Sequence, residues 1–264
     1  MSQQIFLGLG AAAKNFIEAT YSGHHNTYDS GDYRIVVWTS PGSFTVQNVG
    51  DGGSTPGAPY MDVALVGGGG TGAERHGPGC PSGGMVIATD YTAAVNSYSI
   101  TVGGDRPGNT NSTNYSPGNG SNAFGYNAVG GGNRQLDQGN PGNSGGFNQY
   151  GPGNPAPGGD QGGGGAGTGG SGNPGGGNVG YGGEGRMIPF SPGHYGSPGG
   201  YFAAGGAGGG RGGSNAPTQN VGGGGGNPNG HGLGQGSSGG GGRDHRSQTG
   251  TGKGGICIVK YKYQ

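Results

Sequence analysis

The sequence predicts a mainly β protein with almost no α-helix, in which a small β-sheet unit frames a packed array of polyglycine-II helices and loops. Three observations lead there. Runs of β-branched and aromatic residues lie at both ends of the chain, such as YRIVVWT at 33–39, YMDVALV at 60–66 and ICIVKYK at 256–262. Glycine runs recur between them, at 67–70, 162–165, 175–177, 208–210, 222–226 and 239–242. And with Gly 78, Pro 17 and 27% hydrophobic residues in 264, a side-chain core cannot extend along the whole length.

A residue without Cβ lets neighbouring backbones approach as closely as their own atoms allow. A run of it is either a loose linker or a left-handed extended helix with three residues per turn and about 3.1 Å rise. That helix has no internal hydrogen bonds, so its N–H and C=O groups point sideways, toward water or toward parallel copies. Two features favour the array. Charged residues are only 9%, too few to hold a chain open by repulsion. Glycine runs also alternate with Asn-, Pro-, Tyr-, Phe- and Ser-containing segments, at 105–126, 133–160, 186–202, 214–221 and 243–251. Helices of four or five residues, about 12–16 Å long, joined by turns would give that alternation.

Two regions follow from the order of the chain. Residues 1–32 read as an anchoring arm or linker: apolar Ile5, Phe6, Leu7 and Leu9, a short helix over 11–19, then a polar solvated linker over 21–32 with His24 and His25. Residues 33–264 read as one glycine-rich β/polyglycine-II domain, with strands at about 33–102 and 256–262 and glycine helices and loops at about 103–255. Within it, strands are expected at 33–39, 43–47, 60–66, 84–89, 97–102 and 256–262, with Ser40-Pro41-Gly42 a turn. In the last strand Ile256 and Ile258 share one face, and Cys257, Val259 and Tyr261 the other.

Composition and motifs exclude several functions. Formal net charge is zero and the pI is about 7.0, so nothing attracts nucleic acid or an anionic membrane. The first ten residues lack the basic and long apolar regions of a secretory signal, and no stretch approaches the roughly 20 apolar residues of a membrane span. Synthesis in a cytoplasm is therefore expected, with no signal peptide and no membrane insertion. Cys80 and Cys257 read as two small apolar residues. No metal site is expected from six scattered histidines, and no catalytic set or cofactor loop is found. Glycines 67–72 follow a strand but lead into neither a helix nor a GK[ST] sequence. The reading is a non-enzyme without a cofactor.

Aromatic residues in the glycine-rich half are the remaining candidates: Tyr115, Tyr150, Phe190, His194, Tyr195, Tyr201 and Phe202. In exposed loops they would stack on sugar rings or pack on a partner protein. They would equally seal helix–loop junctions or meet a neighbouring subunit. Segment 186–202 (RMIPFSPGHYGSPGGYF) is the leading candidate for an exposed recognition loop, stiffened by proline.

The ordered set YMDVALVGGGG, GGMVIAT, SYSITVGG, FGYNAVGGG and GGICIVKYKY resembles the glycine-rich domain of bacteriophage tail and tail-fibre proteins, over about residues 33–264. The resemblance implies a virion protein of the tail or fibre, similar in style to the adhesins at the tips of T-even-type long tail fibres. There, loops between packed glycine helices contact the host surface. It implies attachment to other virion proteins through the N-terminal arm, a host-surface glycan or outer-membrane protein as receptor, and a homo-oligomer, trimers being common in fibres. The alternative is a purely structural component, a capsid decoration, fibre segment or surface-filament subunit, that binds no receptor.

Overall fold

The computed structural model describes residues 16–50, 59–72, 79–108, 116–131, 167–169, 182–208, 219–220, 224–225, 234–239 and 250–264. The chain is mainly β, and the described residues contain no helix. The short helix expected over 11–19 falls mostly outside them, and its last residues already belong to a strand.

Strands β1 (Glu18–Ser30), β2 (Tyr33–Asn48), β3 (Tyr60–Val66), β4 (Met85–Thr92), β5 (Asn96–Ile100) and β12 (Ile256–Lys262) form one six-stranded sheet. Its order is β1-β2-β12-β3-β4, with β5 pairing β2 off this path. Three short pairs complete the strands: β6 (Ser121–Ala123) with β7 (Tyr126–Ala128), β8 (Arg186–Met187) with β9 (Tyr201–Phe202), and β10 (Gln219–Asn220) with β11 (Gly224–Gly225). The C-terminal strand is thus central, hydrogen-bonded antiparallel to β2 and β3.

Two expectations are corrected here. The segment 21–32 is not a solvated linker. It is most of β1, an edge strand paired along β2 from Glu18↔Asn48 to Ser30↔Tyr33. Its polarity suits an edge exposed along one side. Gly31, at φ 58°, supplies the left-handed residue that the two-residue hairpin loop requires. Nor does Ser40-Pro41-Gly42 end a strand. The register jumps from Gly23↔Gly42 to His25↔Trp38, leaving Pro41 where no ladder bond is made. β2 bends there and changes partner: residues 33–38 pair with β12, and 42–46 pair with β5.

The central strands are buried on both faces, which explains their unbroken apolar runs. One face carries Val36, Trp38, Phe44, Met61, Val63, Leu65, Cys257, Val259 and Tyr261, covered by Ile100, Val102, Ala123, Phe124 and Ala128. The other carries Ile35, Val37, Ala64, Val66, Ile256 and Ile258, covered by Ile188, Phe190, Tyr195, Phe202 and Ala203. The face assignment read for the last strand matches this division.

Beyond β3 the chain continues as 67–72, buried although it carries almost no side chains. Its backbone is hydrogen-bonded to five other segments. Gly67 N–H donates to Gly84 O (2.9 Å), Gly68 N–H to Asn119 O (2.8 Å), Gly69 N–H to Lys253 O (2.8 Å) and Thr71 N–H to Ser116 O (3.1 Å). Gly68 O accepts from Gly131 (2.8 Å), and Gly70 O from Gly239 (3.1 Å). Further bonds link Gly83 to Gly236, Gly84 to Val129, Gly206 to Cys80, Gly118 to Gly131 and Gly255 to Gly103. Buried N–H and C=O groups that secondary structure would ordinarily pair are paired between segments instead. The approach is close enough that a Cβ on Gly69 would overlap the Ser237 carbonyl, and one on Gly118 the Gly68 carbonyl.

Candidate functional site

Segment 186–202 is exposed only in part, at Met187, Pro189, Gly193, His194, Pro198 and Gly199. It packs on the second face of the sheet, with β8 and β9 pairing Arg186↔Phe202 and Met187↔Tyr201. Phe202 is 0% exposed, Tyr195 8% and Phe190 9%, so these three contact candidates are core residues. Tyr201 is half-buried and His194 is exposed. Tyr115 and Tyr150 lie outside the described residues. The segment is tied to the edge strand: Asn26 Nδ2 donates to Tyr195 Oη (2.8 Å), and His194 Nε2 lies 2.7 Å from Tyr28 Oη. The His194 ring stands edge-on to Tyr28 at 4.7 Å. Desolvation, helped by the Tyr195 hydroxyl, raises the Tyr28 phenol to about 12. A hollow of about 410 Å³ lies beside this contact, lined by Tyr28, Asp29, Ile35, Pro189, Phe190 and Lys260 among others.

His24 and His25 sit on β1. His25 Nδ1 lies 2.9 Å from Gly23 O, and its ring packs by Tyr21 and Trp38 at 5.2 and 5.9 Å. Among the described residues no group of three or more His, Cys, Asp or Glu could hold a metal ion. No helix there is long and apolar enough to cross a membrane.

The aromatic surface lies elsewhere, at the end of the first face. β2 carries β5 at its bent end, and a bridge between Thr101 and Asn122 brings the β6–β7 hairpin alongside. That hairpin turns in two residues, Phe124 at φ 54° and Gly125 at φ 78°, as a type I′ loop requires. Glycine takes such a φ freely. A phenylalanine does so at a cost, here offset by packing: the Phe124 ring lies 4.7 Å from Tyr98, 5.7 Å from Tyr91 and 5.9 Å from Phe44.

Tyr91, from β4, completes the floor, edge-on to Tyr98 at 6.2 Å and to Tyr126 at 6.1 Å. Tyr98 Oη is anchored to the backbone of Ala94. Burial, then the neighbouring Tyr98 and Tyr126 phenols, hold the Tyr91 hydroxyl above its usual range, so it stays neutral. Asn96, Ser97, Asn122 and Asn127 rise around these rings, all exposed, with Asn122 and Asn127 directly opposite across the hairpin. The result is an open groove of about 610 Å³ with an aromatic floor and amide and hydroxyl walls, lined by no charged side chain.

The expected site residues did not include these. Tyr91, Tyr98 and Tyr126 lie on three elements and meet only through tertiary pairing. The FGYNAV run carried the one local signal, a two-residue turn between short alternating segments. Compared with protein-family models and with curated proteins, the chain matches none.

Proposed function

We propose that this chain is a non-enzymatic bacteriophage virion protein of the tail or tail-fibre type, built on polyglycine-II helices and presenting a surface for host recognition. What supports it is one observation above all: the buried glycine segment 67–72 exchanges backbone hydrogen bonds with five segments from across the chain. A fold held by main-chain contact leaves its edges and joining segments free to vary, which suits a particle protein that displays a surface. In this reading the aromatic groove serves as a binding surface. In this reading the chain joins other virion proteins through residues before β1, and assembles as a homo-oligomer.

The burial of Phe190, Tyr195 and Phe202 favours a second reading. These three rings belong to the chain's own core, as in a structural component that binds no receptor. Antibody labelling of intact particles by electron microscopy separates the readings. Label at tail or fibre tips is expected. Label over the capsid, or along filaments on cells that carry no phage, overturns the adhesin.

A further inference from the structure

We propose that the groove over Tyr91, Tyr98 and Tyr126, with Phe124 buried beneath them, binds an uncharged saccharide. This deepens the host-recognition reading and rests on it for its biological setting. The lining offers two kinds of surface. A floor of aromatic rings attracts a flat, weakly polar C–H face. Walls of asparagine amides, with the Ser99 hydroxyl, donate and accept hydrogen bonds, while the Ser97 hydroxyl is held by Thr45 Oγ1 at 2.8 Å. A pyranose has that pair of surfaces, a C–H face and a girdle of hydroxyl groups.

Other ligands fit less well. Purely apolar molecules would desolvate the amides of Asn122 and Asn127 without pairing them. Nucleic acid would stack on the rings, but its phosphates need cations, and no lysine or arginine lines the groove. An acidic sugar meets the same lack. Net charge of zero adds no long-range attraction for either.

Geometry sets the size and stiffness of the site. A groove of about 610 Å³ lies within the usual range for small-ligand sites and is open to solvent, which leaves room for a short saccharide. The floor is preformed. Phe124 is fixed in the hairpin turn and Tyr98 is tied to Ala94, so little side-chain freedom is lost on binding.

The test uses the full chain in solution. Maltotriose and chitotriose are titrated by saturation-transfer NMR and calorimetry, with 3′-sialyllactose as the charged comparison. At least one neutral trisaccharide is expected to bind, and sialyllactose to bind at least tenfold more weakly. Tyr126→Ala and Asn122→Ala should each weaken binding roughly tenfold. Asn122 is exposed and its ladder bonds are main-chain, so Asn122→Ala keeps the wild-type unfolding temperature and serves if Tyr126→Ala folds poorly.

Three results overturn the proposal: no binding of either neutral sugar, binding that survives both substitutions, or equal binding of sialyllactose. A dimer that dissociates in Tyr126→Ala also overturns it, since a second copy would then fill the groove. Such failure leaves the virion reading standing on particle labelling. A chain absent from particles removes the virion reading and leaves the solution titration intact.

Discussion

Single side chains decide how this fold tolerates pH. Tyr261 is 2% exposed, its hydroxyl bonded to that of Tyr21. Burial, then that bond, pushes its pKa well above the ordinary 10.0. Burial does the same to the Cys257 thiol, whose ordinary value is 9.0. Each group keeps its proton to higher pH in the folded chain than in the unfolded one. Its contribution is therefore complete below the ordinary value and is lost as pH rises beyond it. The unfolding temperature should be flat up to about pH 8 and fall from about pH 9 upward, which calorimetry across that range will read. Tyr261→Phe should flatten the part of the fall that begins near pH 10. Cys80 and Cys257, both buried, should resist a thiol reagent until denaturant is added. Phe202, wholly buried under the second face, should cost about 3–5 kcal/mol as Phe202→Ala in chemical denaturation.

Among the elements, β12 carries the most. It lies between β2 and β3 and puts alternate side chains into both cores. Truncation after Gly255 should abolish cooperative unfolding and give insoluble protein, whereas loss of Gln264 alone should do neither. The importance of this strand was readable, because an alternating apolar run keeps its two faces whatever it pairs with. Other elements were not readable, for physical reasons. Pro41 looks like a turn until its place among the extra residues of β2 opposite His24 is known. Aromatics at 186–202 look exposed until the second face of the sheet is seen to need a cover. That polar residues 21–32 form an edge strand depends on β2 being free to accept them. Each is a fact about a partner distant in sequence, and local propensity carries no record of it.

Across the whole molecule, glycine backbones form a packed core. Roughly a third of the chain is glycine. Such a composition normally denotes disorder, because there is little apolar surface to offset chain entropy. Here the described glycine segments are buried and paired main chain to main chain between segments far apart in sequence. The side-chain sheet and the glycine core are continuous, since β3 runs directly into 67–72 and residues 250–255 run directly into β12. Loss of either should therefore weaken both.

Thermal unfolding of three glycine-to-alanine variants probes this packing. In Gly69→Ala and Gly118→Ala the new methyl meets the carbonyls of Ser237 and Gly68. In Gly104→Ala it meets nothing within 4 Å, at an exposed position. A packed glycine core predicts a loss of about 1–3 kcal/mol for each of the first two. It predicts no loss, or a gain of up to about 1 kcal/mol, for the third, through a less flexible unfolded chain. If all three variants unfold at the wild-type temperature, the glycine segments are not packed against one another and the account fails.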